Sequence, residues 1–347
     1  MQLLKKKFFK FYRSKIIDWE TDGKKSHLNK KLKLINPNNS ISFGKKNPNK
    51  KFYVIRVEPG GGFFSIFFSI LINIKLANNK KYIPFVDLEN FHTKYNQKKK
   101  IRDTYNSWEY YFNKISNYNL TSIYQSKNVY FSKKNINTRN YIKDHEFCMY
   151  KKIITKYVKI NNFITKIVEN FEKKNFKDKK VLGVHFRGTD MKTTPSHPLP
   201  PTFAQITFLL DNYLNKYGFD KVFVITEQLN YLKRLKKKYK NKIIFFDSYR
   251  SNKSKIFQEK SRNNHRYLLG RDILIETLLL SKTDMIISSK TNVSKAALLF
   301  SKKNKKIIYI NNGINSSRFL LSQFLWLYKK IMPEFFGGFK KRADVSK

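Results

Sequence analysis

The stretch Val181-Leu182-Gly183-Val184-His185-Phe186-Arg187-Gly188-Thr189-Asp190 sets a near-continuous apolar run directly before an arginine, a glycine and an acid. A run of this kind is buried on both faces of a parallel sheet, and ligands of such sheets bind just beyond the carboxyl ends of the strands. Arg187 stands at that edge. A guanidinium stays ionised at any working pH and offers a planar fork of donors matched to two phosphate oxygens, so a diphosphate suits the position. An internal ion pair between Arg187 and Asp190 is the other reading, and the decapeptide alone leaves both open.

Working outward, the same strand pattern recurs. Strands are expected at 181–186, 221–226, 242–247, 284–288 and 306–311, with helices at 202–217, 228–239, 266–282 and 292–303 and a closing helix at 318–331. The first helix carries its own punctuation, with Pro201 and Thr202 at its start and Gly218 just past its end. Strands alternating with helices of this length predict a parallel, doubly wound sheet. Upstream, a strand at 52–57, the turn Gly60-Gly61-Gly62, a helix at 63–77 and a strand at 82–86 form a β-α-β unit with a glycine-rich first turn. The segment 95–132 is aromatic and mostly helical in pattern, 153–171 has helical spacing, and 172–180 is a charged linker. Two such halves facing each other form a cleft in which two substrates can meet.

The chain has 347 residues, enough for two domains, and its net charge is +48, from 72 Lys+Arg against 24 Asp+Glu. So strong a field attracts nucleic acid, anionic lipid or an acidic ligand. The excess is mostly lysine scattered among Asn, Ile, Phe and Tyr, and no nucleic-acid motif accompanies it, so compositional drift is favoured over a specific nucleic-acid footprint. Cys148 is the only cysteine, which excludes an intrachain disulfide and fits a reducing compartment. No signal peptide is read in residues 1–13, and the apolar run 63–74 falls short of the roughly 20 residues that span a bilayer. A cytoplasmic location is therefore expected. Phe8, Phe9, Phe11, Tyr12 and Arg13 among lysines also suit peripheral contact with an anionic membrane, a frayed N-terminus being the alternative.

Further polar groups gather past other strands. The run 283–294 is a buried strand followed by a hydroxyl- and amide-rich turn into a helix, where Ser289, Thr291, Asn292 and Ser294 suit a phosphate at a helix N-terminus. Simple N-capping satisfies the same residues. Glu276, within an apolar helix, calls for a partner such as a nucleoside edge, or else shares a solvated face with Asp272. Gly61 and Gly62 permit close backbone approach to a ligand. Asp87 and Glu89 follow a strand and are the paired carboxylates to weigh as a metal site, although a loop role is favoured and no zinc spacing is present. Asp190, His197 and Glu227 are candidate general bases. Trp108, Tyr110 and Tyr111 are candidates to stack on an acceptor sugar, with core packing the commoner use of such rings.

Taken together, the residues from His185 to Asp190, the helix around Glu276–Ser281 and the turn at 288–294 resemble the superfamily of GDP-fucose-dependent fucosyltransferases. The likeness covers most of 181–312 and, more loosely, 57–87. It implies a GT-B fold, inverting transfer and no metal, with a GDP-sugar as co-substrate and no separate cofactor. The chain is expected to divide into a polar, loosely ordered lead-in at 1–50, a Rossmann-like acceptor-side domain at 51–175, a Rossmann-like nucleotide-sugar-binding domain at 178–335 and a tail at 336–347. By the resemblance Arg187 holds the donor β-phosphate, His185 contacts the donor, Asp190 is the motif's acid, Glu276 meets the nucleoside, and Thr291 or Asn292 meets the phosphate. The family motif His-x-Arg-Arg-x-Asp has a second arginine where this chain has Gly188, and no acid shortly after the motif matches the base of the core enzymes. The expected activity is transfer of fucose, or a related deoxyhexose, to a glycan hydroxyl. A GT-B enzyme using another nucleotide sugar, and a non-catalytic protein binding nucleic acid or polysaccharide, are the alternatives.

Overall fold

The computed structural model describes residues 40–57, 59–133, 144–188, 190–251, 256–259, 262–340 and 345–346. The aromatic segment near the N-terminus, most of the expected lead-in, Thr189 and the side chain of Asp190 lie outside the described residues. The chain divides into two compact units, residues 1–162 with 261–271, and residues 163–260 with 272–347.

In the first unit, β1 (Lys46–Ile55) lies between β2 (Ile83–Val86) and β3 (Ser126–Phe131), all parallel. The helix Phe63–Asn79 follows β1 through the glycine turn and is buried around most of its circumference, from Phe63 through Ile74 to Ala77. A helix apolar all round belongs inside a protein, which is where this one sits. The expected helical pattern over 95–132 is corrected. That stretch is turns, the short helix Leu120–Ile123 and β3. Its polar side chains divert the backbone: Asn106 donates to Val86 O and accepts from Leu88 N, while Asn96 donates to Leu88 O and Tyr105 O. The aromatic cluster is core and does not face an acceptor, since Trp108, Tyr110 and Tyr111 are all buried. Trp108 stacks on Phe67, and Tyr111 meets Phe63 edge to face.

The second unit holds a six-stranded sheet in the order β6-β5-β4-β7-β8-β9. Its members are β4 (Val181–His185), β5 (Lys221–Ile225), β6 (Ile243–Ile244), β7 (Met285–Ser289), β8 (Lys306–Ile310) and the antiparallel edge β9 (Val345–Ser346). β4 is buried along its whole length, as the opening decapeptide predicts. Gly183 packs closely there, since a Cβ would come within 2.5 Å of Leu280 Cδ1 and 2.6 Å of Thr283 Oγ1, and those side chains would have to shift. The helix Phe203–Tyr217 begins at a capping box between Thr202 and Gln205 and stops at Gly218, whose φ of 60° is left-handed, in agreement with the sequence reading. The expected strand at 242–247 shrinks to two residues. Arg250 takes the carbonyls of Phe246 and Ser248 as acceptors and so turns the chain out of the sheet. Among the described residues no helix is long and apolar enough to cross a membrane.

Candidate functional site

Three neighbouring strands of the second unit, β5, β4 and β7, end side by side, and most of the residues singled out in sequence lie at those ends. His185 closes β4 and is buried, with Nδ1 3.2 Å from Ser288 Oγ and 3.3 Å from Thr291 Oγ1. The Ser288 hydroxyl donates to Ser289 O, so its oxygen is left to accept and His185 Nδ1 to donate. That assignment makes Nε2 the acceptor nitrogen of the ring. Burial, reinforced by the Arg187 charge, pushes the His185 pKa down to about 3, so the imidazole is neutral at any physiological pH.

Past His185 the chain is pinned on both sides. Phe186 donates its amide to Ile225 O, and its ring stacks on Tyr231 with centroids 4.1 Å apart and planes 2° from parallel. Arg187 keeps 39% of its side chain exposed, and its Nε lies 3.8 Å from Glu227 Oε1. The same Glu227 oxygen accepts the Gly188 amide at 3.1 Å. A Cβ at 188 would meet Tyr231 Cε2 at 2.8 Å and Gln228 Oε1 at 3.1 Å, so a larger residue there displaces the Tyr231 ring. Lys192 lies beside this ring, with Nζ 5.2 Å from the Tyr231 centroid and 4.4 Å from that of Trp326, and burial lowers its pKa ahead of repulsion by Lys330.

At the end of β7 the N-capping reading of the sequence is realised. Thr291 Oγ1 accepts from Ser294 N, Ser294 Oγ accepts from Thr291 N, and Asn292 opens the helix Asn292–Phe300. Ser289 is buried and gives its carbonyl to both Ser288 and Ser294. The helix start therefore abuts His185 through Thr291 and carries a partial positive charge there.

Glu276 does not share a solvated face with Asp272, as both are buried. Its partners are internal: Arg250 Nη2 at 2.9 Å from Oε1, and the Ser248 hydroxyl at 2.7 Å. Burial raises its pKa to about 7 although the Arg250 charge opposes the shift. Sequence reasoning missed Arg250 and Ser248. The signal was present, because the run Asp247-Ser248-Tyr249-Arg250 follows β6 as Arg187 follows β4. His197 lies in a loop tied down by Asn315 N donating to its carbonyl, and its Nδ1–H donates to Pro195 O at 3.0 Å.

In the first unit, Gly61 and Gly62 lead into the helix Phe63–Asn79, and Gly62 O accepts from Ser65 N and Ile66 N. Asp87 is buried and engaged: it accepts from Glu89 N, Asn90 N, Asn90 Nδ2 and the Tyr124 hydroxyl. That is the geometry of a loop-organising carboxylate. Among the described residues no three His, Cys, Asp or Glu side chains are grouped to hold a metal ion.

No protein-family profile and no curated protein matches the sequence. Solved structures match the fold. NodZ alpha-1,6-fucosyltransferase co-crystallized with GDP aligns over 76% of this chain and 96% of its own, at 14% identity and a TM-score of 0.53. Fucosyltransferase NodZ from Bradyrhizobium aligns over 75% and 95%, at 13% identity and a TM-score of 0.45. An Arabidopsis thaliana FUT1 mutant in complex with GDP aligns over 75% and 70%, at 11% identity and a TM-score of 0.43. The first of these shows the fold, an α/β architecture of two Rossmann-like sheets of the GT-B class.

Proposed function

We propose that this chain is a glycosyltransferase that moves fucose, or a related deoxyhexose, from a GDP-sugar to a glycan hydroxyl, by inversion and without a metal ion. The observation that carries the proposal is Arg187, partly exposed at the carboxyl end of β4 beside a neutral histidine and a helix N-terminus. The NodZ structure of like fold was crystallised with GDP, which makes a diphosphate the ligand to test at that edge.

As the anomeric C–O bond breaks, its electron pair passes to the β-phosphate oxygen and negative charge grows there. Arg187 and the start of the helix Asn292–Phe300 are the groups to stabilise it, and Thr291 and Asn292 the polar side chains nearest the phosphate. His185, uncharged, adds hydrogen bonding and no competing cation. The acceptor oxygen bonds to the anomeric carbon from the opposite face and gives its proton to a base. Glu227 reads better as a positioning residue than as that base, because one of its oxygens already accepts the Gly188 amide beside Arg187. His197 and Asp190 remain the candidates, and His197 presents Nε2 as an acceptor once Nδ1–H is given to Pro195.

One observation leaves the nucleotide open. Glu276, which the resemblance assigns to the nucleoside, is already paired with Arg250 and Ser248, so the base edge it would meet is not fixed as guanine. Thermal protection by GDP, GDP-fucose, UDP and UDP-sugars decides between them. Protection by GDP-fucose above the others, followed by release of GDP on adding a glycan acceptor, supports the proposal. Protection by UDP-sugars alone moves the chain to the second reading. No nucleotide binding at all, with retained binding to nucleic acid or acidic polysaccharide, leaves only the basic binding protein.

A further inference from the structure

The helix Phe319–Ile331 is built inside out. Its anchoring side is polar: Ser322 donates to Thr193 O, Asn315 donates to Ser322 O, and the buried Trp326 donates Nε1 to Pro200 O. Its other side is apolar and exposed, with Leu320 at 74%, Phe324 at 67%, Leu327 at 49% and Ile331 at 65%. These positions follow helical spacing, so they form one stripe along the helix. The turn beyond continues the stripe, with Phe335 at 91% and Phe336 at 62%. Surface helices of globular proteins ordinarily turn such a stripe inward, and contiguous exposed apolar patches mark interaction sites.

The charges around the stripe select the partner. Arg318, Lys329, Lys330 and Lys340 lie in the same segment, against Glu334 alone. A second copy of the chain would bring a net charge of +48 against another +48, which opposes association at low and physiological salt. An anionic bilayer reverses that sign and accepts both features, the apolar side chains at the acyl boundary and the cations among the headgroups. We infer that the face formed by Leu320, Phe324, Leu327, Ile331, Phe335 and Phe336 docks the protein on an anionic lipid surface, the helix lying in the plane of the interface. The inference stands without the proposed activity.

Co-sedimentation of the full chain tests it, using vesicles of phosphatidylcholine alone and vesicles in which about a quarter of the lipid is phosphatidylserine. Two variants accompany the native chain, Leu320→Gln/Phe324→Gln/Leu327→Gln and Phe335→Ser/Phe336→Ser, all at exposed positions. The native chain is expected to bind the anionic vesicles, weakened but retained at high salt, and the triple variant to lose about tenfold or more in partitioning. The double variant, outside the helix, keeps the test valid should the triple variant fold poorly. Equal binding by the native chain and both variants overturns the inference, since charge alone then suffices. So does failure of the native chain to bind anionic vesicles, as does a native dimer that either variant converts to monomer without any lipid binding.

Discussion

Replacing Glu276 by glutamine isolates the cost of burying its carboxyl. The group is 5% exposed, and burial raises its pKa from 4.5 to about 7 despite Arg250 at 2.9 Å. A folded-state pKa above the unfolded one means that the folded state holds the proton longer as pH rises. The contribution is therefore fully present below the unfolded pKa and is lost as pH climbs through the folded pKa, here between 4.5 and about 7. At about 1.4 kcal/mol per pKa unit the loss is roughly 3 kcal/mol. Glutamine keeps a carbonyl oxygen for Ser248 and Arg250 but cannot ionise. Urea unfolding of both proteins from about pH 4 to about pH 8 should show stability curves that diverge across that window, the native chain losing the extra roughly 3 kcal/mol. Parallel curves would refute the reasoning, because every other titrating group is common to both chains. Arg250→Met, which removes the cation opposing the shift, should move the window in which the native stability falls to higher pH, measured the same way.

Arg187→Ala should leave the fold intact and cut transfer by about 100-fold or more, while Arg187→Lys recovers only part, because an ammonium lacks the bidentate fork; near-normal turnover of a folded alanine variant removes Arg187 from the mechanism. Gly188→Ala should cost about 1–3 kcal/mol of stability, read from denaturant midpoints, since its Cβ enters the Tyr231 ring. Gly188→Arg, which supplies the second arginine of the motif the sequence resembles, should lower activity for the same reason. Transfer should persist in excess EDTA, and activity lost and then recovered with manganese would return attention to Asp87 and Glu89. Nucleic-acid binding should fall steeply between low and physiological salt while GDP-sugar binding weakens less, with both affinities measured on the same preparation.

The second unit was readable in sequence because its central strands are buried and two of its helices begin at explicit caps. Val181–His185 reads as interior on any scale, and Thr202, Gln205 and Gly218 mark both ends of one helix. The misreadings share a cause. Over 95–132 the aromatic spacing mimics a helix, yet Asn96 and Asn106 hold backbone groups that a helix would need, and those bonds depend on where β2 lies. Arg250 likewise ends β6 through carbonyls of its own segment and then reaches Glu276, which is 26 residues away in sequence. Local periodicity carries no record of such long-range partners. At the site, the sequence supplied the residue types at the ends of β4, β5 and β7, but not which capped a helix, which held a neighbour and which remained partly open.

On the proposed reading, the placement of Glu227 bears on how one arginine can serve where the motif the sequence resembles has two. A side chain at 188 would start 2.8 Å from Tyr231 Cε2 and 3.1 Å from Gln228 Oε1, so a second arginine there requires Tyr231, stacked on Phe186, to shift. The Gly188 amide instead fixes a carboxylate near Arg187. With Nε 3.8 Å from that carboxylate, the acid restrains the fork's orientation while offsetting part of its charge. The net cationic character of the edge then depends on the helix start at Asn292 and on His185 staying neutral, so that its ring can take part in hydrogen bonding without carrying charge. On the proposed reading, recognition of the leaving group follows from directed donors at three strand ends. The scattered lysines behind the net charge of +48 would raise the rate of encounter with any anion and contribute little to choosing among them.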